Sequence, residues 1–127
     1  MAHGTFGTAI NCMDGRAQLP VITWLKEQYQ LDYVDTITEA GADCVLLRGT
    51  PEQVASVQAR VRISVEKHGS QLVAVVGHHD CAGNPCPEEE HRREIAESVA
   101  AVRAWGLPVE VVGLWLDEDW RVQRVGE

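Results

Sequence analysis

The chain has 127 residues, 45% of them hydrophobic, and a formal charge of −8 at pH 7. This length and hydrophobic content predict one globular domain, residues 1–127, and exclude a disordered chain. No apolar run is long enough to span a membrane, and the first residues lack the pattern of a secretory signal, so we expect a cytoplasmic protein. An acidic chain is a poor candidate for binding nucleic acid or anionic lipid.

Strands and helices are predicted to alternate along the chain, because short β-rich runs alternate with longer runs of helical periodicity. The strands are predicted at 5–12, 33–41, 71–78, 109–116 and 121–125, and the helices at 19–30, 50–69 and 87–106. The segment "DEDW", residues 117–120, is predicted to be a tight connection that returns the last strand as an antiparallel edge.

The second predicted helix has the clearest boundaries. Thr50 suits the N-cap, Pro51 the first helical position, Gln53 a capping box and Gly69 the end of the helix. Helical spacing predicts buried stripes in all three helices, formed by Ile22, Leu25 and Tyr29, then Val54, Val57, Val61 and Val65, then Ile95, Val99 and Val102.

The alternation predicts an α/β fold, a three-layer sandwich with a mostly parallel sheet and helices on both faces. Right-handed crossovers leave few strand orders. We favour the order 2-1-3-4-5 with the last strand antiparallel, which places strand 1 beside strand 3. Ligands of such sheets bind at the carboxyl ends of the strands where the winding reverses.

Two motifs fall at that edge, "CMDGR" (12–16) after strand 1 and "GHHDC" (77–81) at the end of strand 3. Together they bring Cys12, His78 and Cys81 to one place. In a cytoplasmic protein, cysteines are more often thiols or metal ligands than disulfides. Two thiolates and an imidazole suit zinc, and three protein ligands leave a fourth position for water. We therefore predict a Zn²⁺ site made by these three residues.

Asp14 and Arg16 complete the first motif. Arg16 can bind Asp14 in a bidentate pair that keeps the carboxylate ionised. Asp14 could then accept a hydrogen bond from zinc-bound water or hydroxide and orient it. It could instead take the fourth zinc position and close the site, and the sequence leaves both alternatives open.

With these motifs the sequence resembles the β-class carbonic anhydrases, which carry C-x-D-x-R after the first strand and G-H-x-x-C after the third. The resemblance runs from about Gly7 to Val125 and includes the closing hairpin. It implies Cys12, His78 and Cys81 as zinc ligands and Asp14–Arg16 as the catalytic dyad. It also implies reversible hydration of carbon dioxide to bicarbonate by a zinc-bound hydroxide, in dimers or larger assemblies.

The chain also departs from the family pattern. The family usually has helices before the first strand, and its second strand commonly ends in Arg-Asn-Ala-Gly-Asn, where this chain has "TEAGA" and keeps Ala40-Gly41. These departures motivate one alternative, a non-catalytic zinc-binding or assembly module. A second alternative is a zinc hydrolase of a related electrophile such as carbon disulfide or carbonyl sulfide, because any small linear electrophile would fit the same chemistry.

Other candidate residues receive structural interpretations. Cys86 is a helix-start residue or a substitute ligand, Cys44 is core, and His79 and Asp80 are loop residues, with a proton shuttle as the alternative for His79. His3, His68 and His91 are interpreted as terminus, helix end and solvated helix face. Trp115 and Trp120, which flank the last turn, are interpreted as packing residues.

The apolar run "CVLL", residues 44–47, falls where a polar connection is expected. Exposed apolar runs mark interfaces, so we predict a two-fold homodimer in which this stretch, Leu46 included, packs against the partner and lines an apolar pocket beside the zinc. The alternative is that Val45, Leu46 and Leu47 pack within their own chain.

Overall fold

A computed structural model describes residues 3–126. Its strands are β1 (Phe6–Cys12), β2 (Tyr33–Glu39), β3 (Leu72–His78), β4 (Glu110–Leu116) and β5 (Val122–Val125). Its helices are α1 (Gln18–Tyr29), α2 (Ala42–Arg48), α3 (Pro51–His68) and α4 (Glu88–Arg103), and a 3₁₀ turn, Gly15–Ala17, precedes α1. Within this described part, no helix combines the length and apolar character needed to cross a membrane.

The strands form one five-stranded sheet in the order β2-β1-β3-β4-β5. The first four strands are parallel, and β5 runs antiparallel to β4. The predicted fold class and strand order are therefore confirmed. The central strands β1 and β3 are buried along their whole length, as expected for strands covered on both faces. Because β1 and β3 are paired neighbours, their carboxyl ends lie side by side.

Successive residues of each strand point to opposite faces, and two apolar clusters result. One cluster joins Ile10 and Val75 of the sheet to residues of α2, α3 and α4. The other joins Ala9 and Ala74 to Val21 and Leu25 of α1. Helices therefore cover both faces of the sheet. The predicted site lies at the edge where β1 and β3 end and their loops begin. The prediction that residues 1–127 form a single domain is not tested by these observations and stays a prediction.

Helix α3 begins and ends as its sequence predicts. The Thr50 side chain accepts a hydrogen bond from the Gln53 amide at 3.2 Å, and the Gln53 side chain accepts one from the Thr50 amide at 2.8 Å. Gly69 ends the helix in a left-handed conformation, with φ of 69°. Val57, Val61 and Val65 are buried as predicted, whereas Val54 is only half-buried.

Two details of the predicted packing are wrong. The run at 44–47 is not an exposed connection, because it lies in α2, and Leu46 is only 7% exposed within the core of its own chain. Leu46 therefore cannot act as the predicted exposed contact with a partner. In α1 the fully buried residues are Val21 and Leu25, and Ile22 is half-buried, since the helix is rotated by about one residue from the predicted stripe.

Candidate metal centre

Three potential metal ligands meet at the predicted edge of the sheet. Cys12 is the last residue of β1, His78 is the last residue of β3, and Cys81 lies in the loop after β3. One ligand atom from each side chain lies within 4.8 Å of the others, and all three residues are buried. The two sulfur atoms are 3.9 Å apart. The structure thus brings together the three residues that the sequence singled out.

The donor atoms fit a zinc ion. His78 Nδ1 lies 2.7 Å from the His79 carbonyl oxygen, so Nδ1 carries the proton and donates it there. Nε2 is then left as a lone-pair donor, buried and without a hydrogen-bond partner. A buried polar atom without a partner is costly and calls for a ligand. Tetrahedral zinc with bonds of about 2.3 Å to sulfur would hold two thiolates about 3.8 Å apart, close to the observed separation.

Backbone amides surround the two sulfur atoms. The Cys81 thiol lowers the pKa of Cys12 most strongly by a hydrogen bond, and the amides of Gly41 and Asp14 lower that pKa further. The same hydrogen bond to Cys12, together with burial, raises the pKa of Cys81. The backbone amides of Gly83 and Asn84 partly oppose this increase. One thiolate is therefore favoured before any ion binds, and amide donors also face the second sulfur.

Asp14 lies beside the three ligands and is held by Arg16. Arg16 Nη2 lies 2.8 Å from Asp14 Oδ2, while Arg16 Nε and the Arg16 backbone amide lie 3.1 Å and 2.9 Å from Oδ1. These Arg16 hydrogen bonds lower the pKa of Asp14 to about 2. Asp14 Oδ2 is 4.0 Å from His78 Nε2. The carboxylate is therefore ionised at neutral pH, adjacent to the ligands and oriented by two donors at Oδ1 and one at Oδ2.

Two further side chains, not singled out from the sequence, shape the loop that carries Asp14. Asn11 is fully buried; its Nδ2 donates to the Ala17 carbonyl at 3.1 Å, and its Oδ1 accepts from the Cys12 amide at 2.8 Å. Gln18 Nε2 donates to the carbonyls of Cys12 at 2.7 Å and Asp14 at 3.0 Å. An asparagine inside a strand predicted to be buried was the available sequence signal for Asn11.

Comparison with known proteins shows the family to which the chain belongs. Residues 2–126 match the model of a protein family described as "Putative carbonic anhydrase". The chain belongs to this family. A search of curated proteins gave no match.

Solved carbonic anhydrase structures from fungi share the fold. The carbonic anhydrase of Glaciozyma antarctica is 17% identical in sequence, with a TM-score of 0.62, and the match covers 92% of this chain and 79% of that enzyme's chain. A tetrameric β-carbonic anhydrase of Sordaria macrospora is 13% identical with a TM-score of 0.60, covering 94% and 80%. The β-carbonic anhydrase of Aspergillus fumigatus is 16% identical with a TM-score of 0.53, covering 95% and 74%.

The retained Ala40-Gly41 of this family member lies against the loop that carries Cys81. A Cβ on Gly83 would lie 2.3 Å from the Ala40 carbonyl carbon, and a Cβ on Gly41 would lie 2.7 Å from the Gly83 carbonyl carbon. Real Cβ atoms do not approach backbone so closely, so both positions require glycine. Gly41 also has φ of 71°, which favours glycine for a second reason. This close approach places the amides of Gly41 and Gly83 beside the sulfur atoms.

Gly83→Ala is therefore expected to separate the two loops. Overpacking against fixed backbone costs about 1–3 kcal/mol of unfolding free energy, and zinc affinity falls because the amides move away from the thiolates. Gly15→Ala is the matched control in the other loop of the site, since nothing lies within 4 Å of its added Cβ. Urea unfolding of the metal-free protein and zinc competition with a chelator measure the two effects. Equal stability and affinity in both variants would contradict the role of the close approach.

A buried polar network anchors the Cys81 loop to the helices. Asn84 Nδ2 donates to Glu94 Oε1 at 2.9 Å, and Arg48 Nη2 donates to the same Glu94 oxygen at 3.1 Å. His91 Nε2 lies 2.7 Å from Asp43 Oδ2, with both side chains 1% exposed. Because Asn84 joins the Cys81 loop to α4 through Glu94, this network fixes the position of the loop.

The prediction that His91 lies on a solvated helix face is therefore wrong. His91 precedes Ile95 by one helical turn, so it shares the buried face of α4 with the predicted apolar stripe. Gly77 of β3 makes room for the ring, since a Cβ there would lie 2.7 Å from His91 Nε2. Periodicity alone was a sufficient signal for this residue.

The remaining candidates lie outside the three-ligand cluster. Cys86 is half-buried just before Pro87, the N-cap of α4, and burial raises its pKa. Cys44 is half-buried, with its sulfur 3.2 Å from Arg48 Nη2.

His79 is exposed, and its carbonyl oxygen accepts the hydrogen bond from His78 Nδ1. His68 is half-buried at the end of α3 and lies 2.6 Å from Asp35 Oδ2. His3, the first described residue, is exposed, and Trp115 is buried in the core as interpreted.

Proposed function

We propose that this protein is a zinc enzyme that converts carbon dioxide and water reversibly to bicarbonate and a proton. The observation that carries the proposal is the buried Cys₂His cluster with an unpaired His78 Nε2, beside an ionised carboxylate fixed by an arginine. Membership of a family described as "Putative carbonic anhydrase" supports the choice of reaction. Fold and ligands alone would not select it, since one fold hosts many reactions.

Cys12, His78 and Cys81 would hold the ion. When bound, zinc would supply a nucleophile at neutral pH by lowering the pKa of a coordinated water to about 7. The His79 carbonyl holds the His78 ring in the tautomer that leaves Nε2 free for the metal. The burial of all three ligands limits access of bulk water to the ion.

Asp14 would orient the nucleophile. Arg16 donates hydrogen bonds to the Asp14 carboxylate and keeps it ionised. At neutral pH the carboxylate can therefore accept a hydrogen bond but does not carry a proton. This arrangement favours the oriented state over the closed alternative, in which Asp14 would take the fourth metal position. In the closed state Asp14 would lose at least one of its hydrogen bonds to Arg16 in order to bind the metal.

The assembly is proposed to be a homodimer or a higher homo-oligomer. The tetrameric state described for the Sordaria macrospora enzyme supports this proposal. The contact surface must differ from the one predicted at Leu46, which is buried within its own chain. The single domain and the cytoplasmic location stay predictions.

Stopped-flow hydration of carbon dioxide tests the proposed reaction. We expect the zinc-loaded protein to hydrate carbon dioxide above the buffer rate between about pH 7 and 9, the range in which zinc-bound water loses its proton, and the metal-free protein to do so only at the buffer rate. One zinc per chain without any hydration across that range would contradict the reaction and favour a non-catalytic module. Hydrolysis of carbon disulfide or carbonyl sulfide without carbon dioxide hydration would identify the related zinc hydrolase instead.

A further inference from the structure

Trp120 contacts both halves of the candidate site from a separate strand connection. It lies between β4 and β5, and its ring centroid is 5.8 Å from the His78 ring. The Arg16 guanidinium carbon lies 4.7 Å from the centroid of the same indole. One side chain therefore packs against a candidate metal ligand and against the residue that holds Asp14.

The backbone of Trp120 is in an unfavourable conformation. Its φ is 61°, in the left-handed region that bulky residues rarely adopt. The turn is nevertheless closed by hydrogen bonds: the Trp120 amide donates to the Asp117 carbonyl at 2.9 Å, and Asp117 Oδ1 accepts from the amides of Asp119 and Arg121 at 2.9 Å and 3.0 Å. Residues kept in such conformations cluster at functional sites, and glycine would satisfy the turn alone.

Arg16 needs support beyond its ion pairs. Its side chain is 49% exposed, and ion pairs at such positions hold a long side chain weakly. The carboxylates of Asp14 and Asp80 bind the edge of the guanidinium, at 2.8 Å and 3.4 Å. The Arg16 guanidinium carbon lies over the Trp120 ring, and this cation–π contact adds attraction without competing for the donors.

We propose that Trp120 is a positioning residue that stacks on Arg16 and holds it in the orientation that fixes Asp14 beside the metal site. The consequence for catalysis rests on the proposed function, whereas the restraint on Arg16 belongs to the folded chain itself. Trp120 also packs against the His78 ring, so its loss would remove a contact of that candidate ligand as well.

The restraint can be measured in the metal-free protein by hydrogen exchange of the Arg16 Nε proton, followed by NMR. This proton is donated to Asp14 Oδ1. Trp120→Leu is expected to accelerate exchange about three- to fivefold, the equivalent of one exposed cation–π contact. Trp120→Phe, which retains an aromatic face, is expected to restore part of the protection.

Trp24→Leu is the matched control, because Arg124 lies 5.3 Å from the Trp24 ring in a comparable cation–π contact that does not involve Arg16. It is expected to leave the exchange of Arg16 unchanged. Unchanged Arg16 exchange in Trp120→Leu, or equal acceleration in Trp24→Leu, would overturn the proposal. If Trp120→Leu fails to fold, Trp120→Phe compared with the wild-type protein decides alone, with a smaller acceleration expected and no acceleration overturning the proposal.

The catalytic consequence is measured on the zinc-loaded protein. Trp120→Leu is expected to lower kcat for carbon dioxide hydration by about three- to fivefold, in line with the loosened Arg16, with zinc content near that of the wild-type protein. A normal kcat together with faster Arg16 exchange would overturn the catalytic part of the proposal. If the wild-type protein hydrates no carbon dioxide, the proposed function fails, and the exchange measurement still supports or overturns the restraint.

Discussion

Cys81→Ser is expected to abolish stoichiometric zinc binding. Cys81 supplies one of two sulfur donors, and the hydroxyl that replaces it is a far weaker zinc ligand at neutral pH. The binding free energy of a zinc site is about 10 kcal/mol and is shared among three or four ligands. The loss of one ligand is therefore expected to weaken zinc affinity by about 100-fold or more. Chelator competition gives the affinity, and metal analysis after dialysis gives the content per chain.

Two other cysteines provide controls for this change. Cys44→Ser and Cys86→Ser are expected to retain about one zinc per chain, because both thiols lie outside the cluster of Cys12, His78 and Cys81. Retention of zinc by Cys81→Ser together with loss of zinc in Cys86→Ser would identify Cys86 as the ligand and contradict a site formed by Cys12, His78 and Cys81.

Asp14→Asn is expected to lower kcat for carbon dioxide hydration by about 100-fold, the scale of losing one charged hydrogen-bonding group at a reacting centre. The amide keeps the shape of the side chain but loses the charge that Arg16 pairs with. It can also turn its NH₂ group toward the nucleophile as a donor instead of an acceptor. Zinc content is expected to stay unchanged, since Asp14 is not one of the three ligands in this account.

Asp80→Asn is the matched control, because Asp80 also pairs with Arg16 but lies in an exposed position. Its kcat is expected to stay within about threefold of the wild-type value, as is usual for an exposed ion pair. An increase in kcat in Asp14→Asn would favour the closed alternative, in which Asp14 blocks the fourth metal position. A kcat equal to that of the wild-type protein would remove Asp14 from the mechanism.

The strand order and the meeting of the two motifs could be predicted from sequence because both follow from simple constraints. Alternating elements and right-handed crossovers leave few topologies, and the carboxyl ends of neighbouring strands share one edge. The capping residues of α3 were predicted for a similarly local reason, since Thr50, Pro51 and Gln53 act within one turn.

Helix α2 was missed because it has only 7 residues and its N-cap, Gly41, provides no capping side chain. With so few residues, an apolar run at 44–47 cannot be distinguished from an exposed segment by periodicity. The burial of Leu46 depends on the packing of α2 against α4 and the sheet, which is tertiary information.

The surroundings of the site depended on contacts between distant segments. The close approach of Gly41 and Gly83 joins two loops that are 42 residues apart in sequence, and no local pattern indicates it. The position of Trp120 over Arg16 arises in the same way, from a turn whose left-handed residue would usually be glycine.

X-ray absorption at the zinc edge of the zinc-loaded protein identifies the atoms bound to the ion, because it counts the ligand atoms without reference to any activity. We expect two sulfur atoms at about 2.3 Å and one imidazole nitrogen at about 2.0 Å, with one further light atom completing four ligands. A zinc ion surrounded by only nitrogen and oxygen, or by three or more sulfur atoms, would contradict the site formed by Cys12, His78 and Cys81.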